Sequence, residues 1–349
     1  MVNLMNRHNL STSSSDPAGV SGTAASSRTV RSTVFFLAKL CALFVALLFL
    51  FGKGIMPQYL YSYNASLLDK MERLTSLTEP KIVLISNSNL AFGMDCSLLE
   101  EAFQMPVVNA GVHGGLGNAF QEEIAKVNIT EGDLIIVCHT DYDDDDTIVD
   151  PVIAWLTVEN HPELWRLIRW KDIPDMYFSF PDYAKRVISL WTSKEGNVQD
   201  HGTVYSRLAF NEYGDVSFER PKPQYEKEEF FELFTLHAPA VEDVCIDRLN
   251  ALNQYITERG AVMLVAGFPV MDCAYTPPVE DYIRFQTTLE ERLDCPVISD
   301  CRDYFLDYEY FYDTPYHLTN EGAKLRTRQL ILDLQRYLES QERSTSPSS

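Results

Sequence analysis

Nineteen residues near the N-terminus, VFFLAKLCALFVALLFLFG at positions 34–52, carry a single charge at Lys39, and no other feature constrains the chain as much. As an α-helix they reach roughly 28 Å at ~1.5 Å per residue, close to the ~30 Å hydrocarbon core of a bilayer. Lys39 lies near the start of the run, where its ammonium can reach back to the headgroups. A cleaved signal peptide and a buried core helix are the competing readings. No small-x-small cleavage site follows, and the chain continues GKGIMPQYLYSY, which favours an uncleaved anchor over residues 33–53. Arg28 and Arg31 precede the run and Lys53 alone follows closely. The positive-inside rule therefore expects a single-pass cell-membrane protein, its N-terminus cytoplasmic and its main domain extracytoplasmic. Residues 1–32 and 341–349, rich in small and polar side chains, read as disordered tails, and 54–80 as a linker or juxtamembrane helix.

The formal charge of −21 excludes nucleic acid as a partner, because phosphate binding needs a basic surface. It also opposes adhesion to anionic headgroups, so attachment to the membrane has to be hydrophobic, through residues 34–52. The seven cysteines form no CxxC pair, which leaves zinc and thioredoxin-type chemistry without support and implies no cofactor. An exported domain permits a disulfide without requiring one.

Beyond residue 81, short apolar runs alternate with amphipathic stretches, as in βαβ units. Strands are expected at 81–86 (KIVLIS), 106–109 (PVVN), 133–138 (DLIIVC), 261–268 (AVMLVAGF) and 296–299 (PVIS). Helices are expected at 95–103, 118–127, 241–256, 279–293 and 319–338, with Gly260 placed to cap the third. The expected fold class is α/β: a doubly wound, mostly parallel five-stranded sheet within residues 81–340. An insertion at about 143–238 contains Trp155, Trp165, Trp170 and Trp191. The tryptophans read first as the core of a small helical subdomain; stacking on sugar rings or forming a lid is the alternative.

Ligands of open α/β sheets bind at the carboxyl ends of the strands. Those ends read Ser86-Asn87-Ser88-Asn89, then Asn109-Ala110-Gly111-Val112-His113-Gly114-Gly115, then His139-Thr140-Asp141-Tyr142. Asp313-Thr314-Pro315-Tyr316-His317 comes just before the last helix. A serine, a glycine-rich turn and a histidine near an acid suit acyl transfer. The hydroxyl needs a base, the base needs a group that fixes its tautomer, and the oxyanion needs backbone amides. His113 and His139 read as local turn residues. The acidic run at 141–146 reads as a solvated loop rather than a calcium site, no EF-hand spacing following it, and no metal is expected. Residues 111–117 match neither a Walker nor a Rossmann fingerprint.

These blocks, in this order, resemble those of the SGNH (GDSL-type) hydrolases, over most of residues 81–338. The resemblance is to the membrane-anchored SGNH-like proteins that modify cell envelopes, of the teichoic-acid D-alanine transfer and alginate acetylation types. It implies a flavodoxin-like α/β/α core with Ser88 as nucleophile, His317 as base and Asp313 as triad acid. Ser88, Gly114 and Thr140 are the implied oxyanion donors, and Asn89, His113, Asp141 and Tyr142 the substrate-binding neighbours. Three positions depart from the pattern. Ser86 replaces the leading glycine, Thr140-Asp141-Tyr142 replaces the asparagine of the third block, and Asp313 lies four rather than three residues before His317.

The expected function is therefore a membrane-tethered serine esterase or O-acyltransferase. Its partners would be an acylated envelope polysaccharide or other ester, and a membrane-bound acyltransferase with which it could form a complex. A catalytically inactive glycan-binding or scaffold subunit on the same fold is the alternative. Asn64 and Asn128 stand in glycosylation sequons that matter only in a glycosylating host.

Overall fold

The computed structural model describes residues 22–55, 59–143, 146–159, 161–192, 202–274 and 276–345. The chain divides into two compact units, Met1–Gly54 and Ile55–Ser349. In the first, helix α1 (Gly22–Leu50) runs on into a π-helical turn (Phe51–Ile55), and the stretch Val30–Lys53, with a mean hydropathy of 2.7 and no buried side chain, is long and apolar enough to cross a membrane. The helix begins ten residues ahead of the tail boundary expected at 32. Extending an existing helix adds a hydrogen bond per residue without a new nucleus, so Ala24, Ala25 and Arg28 continue it. Residues 1–21 and 346–349 of the expected tails lie outside the described residues.

The second unit is built on a parallel sheet of four strands: β1 (Ile82–Ile85), β2 (Val107–Asn109), β3 (Leu134–Val137) and β4 (Val262–Val265), in the order β2-β1-β3-β4. Its strands are near-continuous Val, Ile and Leu, as burial on both faces requires. Ile82, Leu84 and Ile136 join one core with Leu90, Leu99, Leu330 and Leu334, while Val83 and Ile85 alternate to the other face. At the amino ends of the strands, the fully buried Lys81 Nζ donates to Asp133 Oδ2 at 2.8 Å and to Asn128 O at 2.9 Å.

The expected fifth strand shrinks to one parallel bridge between Val297 and Val265. Val265 N donates to Pro296 O and Ile298 N to Val265 O, both at 2.9 Å. Pro296 has no N–H, so the ladder cannot extend through it. In its place a second, two-stranded parallel sheet, unforeseen from the pattern, pairs β5 (Val270–Asp272) with β6 (Phe305–Asp307).

The helices of this unit are α2 (Ser66–Ser76), α3 (Ser88–Gly93), α4 (Cys96–Phe103), α5 (Asn118–Ala125), α6 (Pro151–Val158), α7 (Ile173–Thr192), α8 (Lys227–Leu233), α9 (Asp243–Thr257), α10 (Val279–Arg292) and α11 (Asn320–Thr345). α11 packs on α3 and α4, α5 on β1 and α9 on β4. Helices α6 to α8 make the insertion helical, as expected. Asp150 caps α6, accepting from Val152 N at 2.9 Å and Ile153 N at 3.2 Å, with Pro151 at the first helical position. Trp155 packs against Trp165, Phe180 and Tyr183, but Trp165, Trp170 and Trp191 are 38%, 92% and 54% exposed, so the tryptophans do not together form the expected core. No two of the seven cysteines form a disulfide.

Candidate active site

The chain leaves β1 toward β2 on one side and returns to β3 on the other, so the topological switch point falls between β1 and β3. The turn after β1 sits there and is held by its own polar side chains. Ser86, where the resemblance expects glycine, donates its hydroxyl to Cys138 O at 2.7 Å and ties the end of β1 to the end of β3. Asn87 Oδ1 accepts from Asn89 N at 2.9 Å, capping α3 and placing Ser88 as its first residue. Asn87 Nδ2 donates to Thr140 Oγ1 at 2.7 Å, again across the switch point. Asn89 is fully buried and donates to Ser86 Oγ at 2.6 Å and Asn87 Oδ1 at 2.9 Å. It builds the turn from within and does not line the cleft.

The second limb of the site is the loop 312–317, closed like a hairpin by Tyr312 N donating to His317 O at 2.8 Å. Thr314 occupies the position three residues before the histidine. Its Oγ1 accepts from His317 N at 3.0 Å, so that residue shapes the loop and leaves the carboxylate role to Asp313. His317 Nδ1 lies 2.8 Å from Asp313 Oδ1, and His317 Nε2 lies 2.8 Å from Ser88 Oγ. Asp313 and His317 are both buried, while Ser88 is half-buried. With Nδ1–H donating to the carboxylate, Nε2 is left to accept from the serine hydroxyl.

Three further side chains complete this arrangement, and none was legible in the sequence. Tyr205, from the insertion, donates its hydroxyl to Asp313 Oδ2 at 2.5 Å. Burial and the neighbouring Asp313 carboxylate push the Tyr205 phenol well above its ordinary value, so it stays a proton donor. Phe92, one turn beyond Ser88 on α3, stacks on the His317 ring with centroids 3.9 Å apart and planes 7° apart. Arg220 lies buried behind Phe92 and donates to Leu318 O at 2.9 Å, Phe92 O at 3.0 Å and Val216 O at 2.6 Å. It thereby fastens the helix bearing Ser88 to the loop bearing His317. Burial pushes its guanidinium down to about 10, still charged at neutral pH.

The glycine-rich loop passes beside this pair. Gly111 is the crowded position, since a Cβ there would meet Ala91 N at 2.7 Å and Asn87 O at 3.0 Å. Its carbonyl accepts from the buried Lys70 Nζ at 2.5 Å, and burial pushes that ammonium down to about 7. Gly114 is exposed and close to the turn, where a Cβ would stand 3.8 Å from Asn87 Cβ. His113 accepts from Gly115 N at 2.9 Å through Nδ1 and presents its ring to the cleft.

The third-block residues divide. Thr140 is buried, accepting from Asn87 and donating to Asp141 Oδ2 at 3.1 Å. Burial raises the Asp141 carboxyl above its ordinary value. Tyr142 is buried against Phe285 and His139, away from the cleft. His139 is buried too, its Nε2 3.3 Å from Glu122 Oε1, and Glu122 also takes Arg248 at 2.7 Å. In the acidic run, Asp144 and Asp145 lie outside the described residues. Asp146 is ion-paired with Arg169 at 2.6 Å and also with Lys171, so the run is not wholly solvated. Asn128 spends its side-chain amide on Leu74 O and Leu77 O, both at 2.8 Å, and a glycan there would take one of the two N–H groups and break one of these bonds.

Ser88 and His317 open onto a cleft of about 470 Å³, walled by Tyr63, His113 and Gly114 on one side and by Phe234, Thr235 and Tyr316 on another. A serine, a histidine, an aspartate and a glycine turn therefore meet at one solvent-reachable point, the serine and the histidine more than two hundred residues apart in the chain. No family model, no curated protein and no solved structure matches the chain.

Proposed function

We propose that the protein is a membrane-anchored serine esterase or O-acyltransferase of SGNH type, acting on acyl esters of cell-envelope polysaccharide. The observation that carries this reading is the unbroken chain Ser88 Oγ–His317 Nε2 and His317 Nδ1–Asp313 Oδ1, each link 2.8 Å. A serine hydroxyl is a weak nucleophile until a base takes its proton. His317 takes it as Ser88 Oγ attacks the acyl carbonyl, and Asp313 stabilises the imidazolium that forms. The carbonyl oxygen becomes an oxyanion held by the Ser88 and Gly114 N–H groups. His317 then protonates the leaving oxygen, and the acyl group remains on Ser88. Water or a sugar hydroxyl, deprotonated by His317, removes it and regenerates the serine. Thr140 spends its hydroxyl proton on Asp141 Oδ2, so the oxyanion rests on backbone donors.

The apolar Val30–Lys53 helix supports tethering at a membrane, with the N-terminus cytoplasmic by the charge rule, and a tether favours a substrate fixed at the same surface. A membrane-bound acyltransferase is the partner that would supply acyl groups in that setting. Incubation of the full chain with p-nitrophenyl acetate, followed by mass analysis of the peptide carrying Ser88, tests the reading. An acetyl group on Ser88 is the expected product; an unmodified serine with no nitrophenol burst rejects it.

A further inference from the structure

Helix α7 has two apolar faces, and only one is covered. Met176, Tyr183 and Val187 face inward and are buried. Ile173, Tyr177, Pro181, Ala184, Ile188 and Trp191 recur every three or four residues along the other side, all wholly or partly exposed. Phe178 and Trp170 extend this face at 76% and 92% exposure. An exposed apolar surface of this extent on a soluble face marks an interaction site.

Three observations say what covers it. First, five residues separate Lys53, at the end of the apolar stretch, from Tyr59, a reach of at most ~22 Å over six Cα–Cα steps. Tyr59 in turn lies against α7, with the Arg186 guanidinium 6.0 Å from its ring. Second, the composition is that of a membrane interface, where Trp and Tyr sit at headgroup level beside Lys and Arg. Third, residues 161–192 carry five basic side chains against four acidic ones, in a chain whose formal charge is −21. Anionic headgroups would repel most of this chain but not this segment.

We infer that the outer face of α7, with Trp170, lies in the headgroup region of a bilayer, as an interfacial amphipathic helix. This rests on the proposed membrane anchor. It also bears on the substrate. Asp182, Lys185 and Arg186 of the same helix line a second cleft of about 740 Å³, which shares Tyr63, His113 and Tyr205 with the Ser88 cleft. Asp182 and Arg186 lie on the side of α7 opposite Ile173, Tyr177 and Ile188, so seating α7 on lipid leaves that cleft open above the headgroups, toward a substrate at the same surface.

All four tryptophans lie in the insertion and none in α1, so tryptophan emission reports on the insertion alone. The full chain is reconstituted into phosphatidylcholine–phosphatidylglycerol vesicles with either plain or dibrominated acyl chains, and vesicle flotation is run on the same samples. Bromine is expected to remove about half of the emission, the share of Trp170 and Trp191 in an interfacial helix buried to headgroup depth. The double variant Trp170→Phe/Trp191→Phe should lose that quenching. Protein that floats with the vesicles but shows equal emission in both overturns the inference, the face then being bare or covered by protein. Protein that does not float overturns the membrane anchor and this inference with it.

Discussion

Tyr205 donates its hydroxyl to the one Asp313 oxygen that His317 leaves free, at 2.5 Å. A residue of the insertion thus holds the Asp313 carboxylate, and the proposed triad geometry depends on the insertion being seated. A hydrogen bond to a charged group contributes about 1.5–3 kcal/mol. Tyr205→Phe should therefore lower kcat/KM on a small ester by about tenfold or more. Circular dichroism should stay near wild type, with the melting temperature lower by only a few degrees. An unchanged kcat/KM would mean that Asp313 holds its orientation unaided.

Gly111 and Gly114 should respond differently to the same methyl group. Gly111→Ala forces a Cβ into the backbone of Ala91 and Asn87, on either side of Ser88. Overpacking of this kind costs about 1–3 kcal/mol, and here it displaces the nucleophile as well. Gly114→Ala meets only Asn87 Cβ at ordinary contact distance and should fold normally. Denaturant titration combined with esterase rates would separate them; equal losses in both variants would contradict the crowding argument.

Arg220 holds the two limbs of the site together from behind. Its replacement by Met leaves the carbonyls of Phe92, Leu318 and Val216 without their donor, and should cost about 3 kcal/mol or more in unfolding free energy. Urea unfolding of the full chain in detergent measures this. A loss under 1 kcal/mol would show that water replaces the guanidinium.

Glu159 gives the insertion a pH dependence. Burial pushes its carboxyl from an ordinary 4.5 up to about 8, while Glu159 Oε2 accepts from Tyr183 OH at 2.7 Å. A raised folded-state value means that the folded chain keeps a proton the unfolded chain has released. The stabilisation is complete below pH 4.5 and is lost as pH rises toward 8, at about 1.4 kcal/mol per unit. Hydrogen exchange of α6 and α7 should therefore quicken across that window, and Glu159→Gln should flatten the trend. Exchange that slows with rising pH, after correction for intrinsic rates, would reverse the sign.

What the sequence made legible follows from how local each signal is. Four strands were readable because fully buried parallel strands are runs of Val, Ile and Leu. The Ser88 turn and the Asp313–His317 loop were readable because each is a short block at a strand end or before a helix. The fifth strand was over-read, since the pattern of PVIS is apolar but Pro296 limits its ladder to one bridge. α3 escaped notice because six residues capped by Asn87 leave too short a period to detect. Tyr205, Phe92 and Arg220 act through contacts between segments over a hundred residues apart, which no local pattern encodes. Asn89 and Tyr142 were expected beside the substrate and instead point inward: Asn89 follows Ser88 on α3, about 100° further round the helix, and Tyr142 packs on Phe285 and His139 well past the end of β3.

The central claim is that His317 activates Ser88, and fluorophosphonate labelling of the full chain addresses it most directly. Wild-type protein should label, and labelling should vanish in Ser88→Ala and fall by at least a hundredfold in His317→Ala, the range general-base catalysis supplies. Folded wild-type protein that does not label, or that labels equally in both variants, would contradict the account.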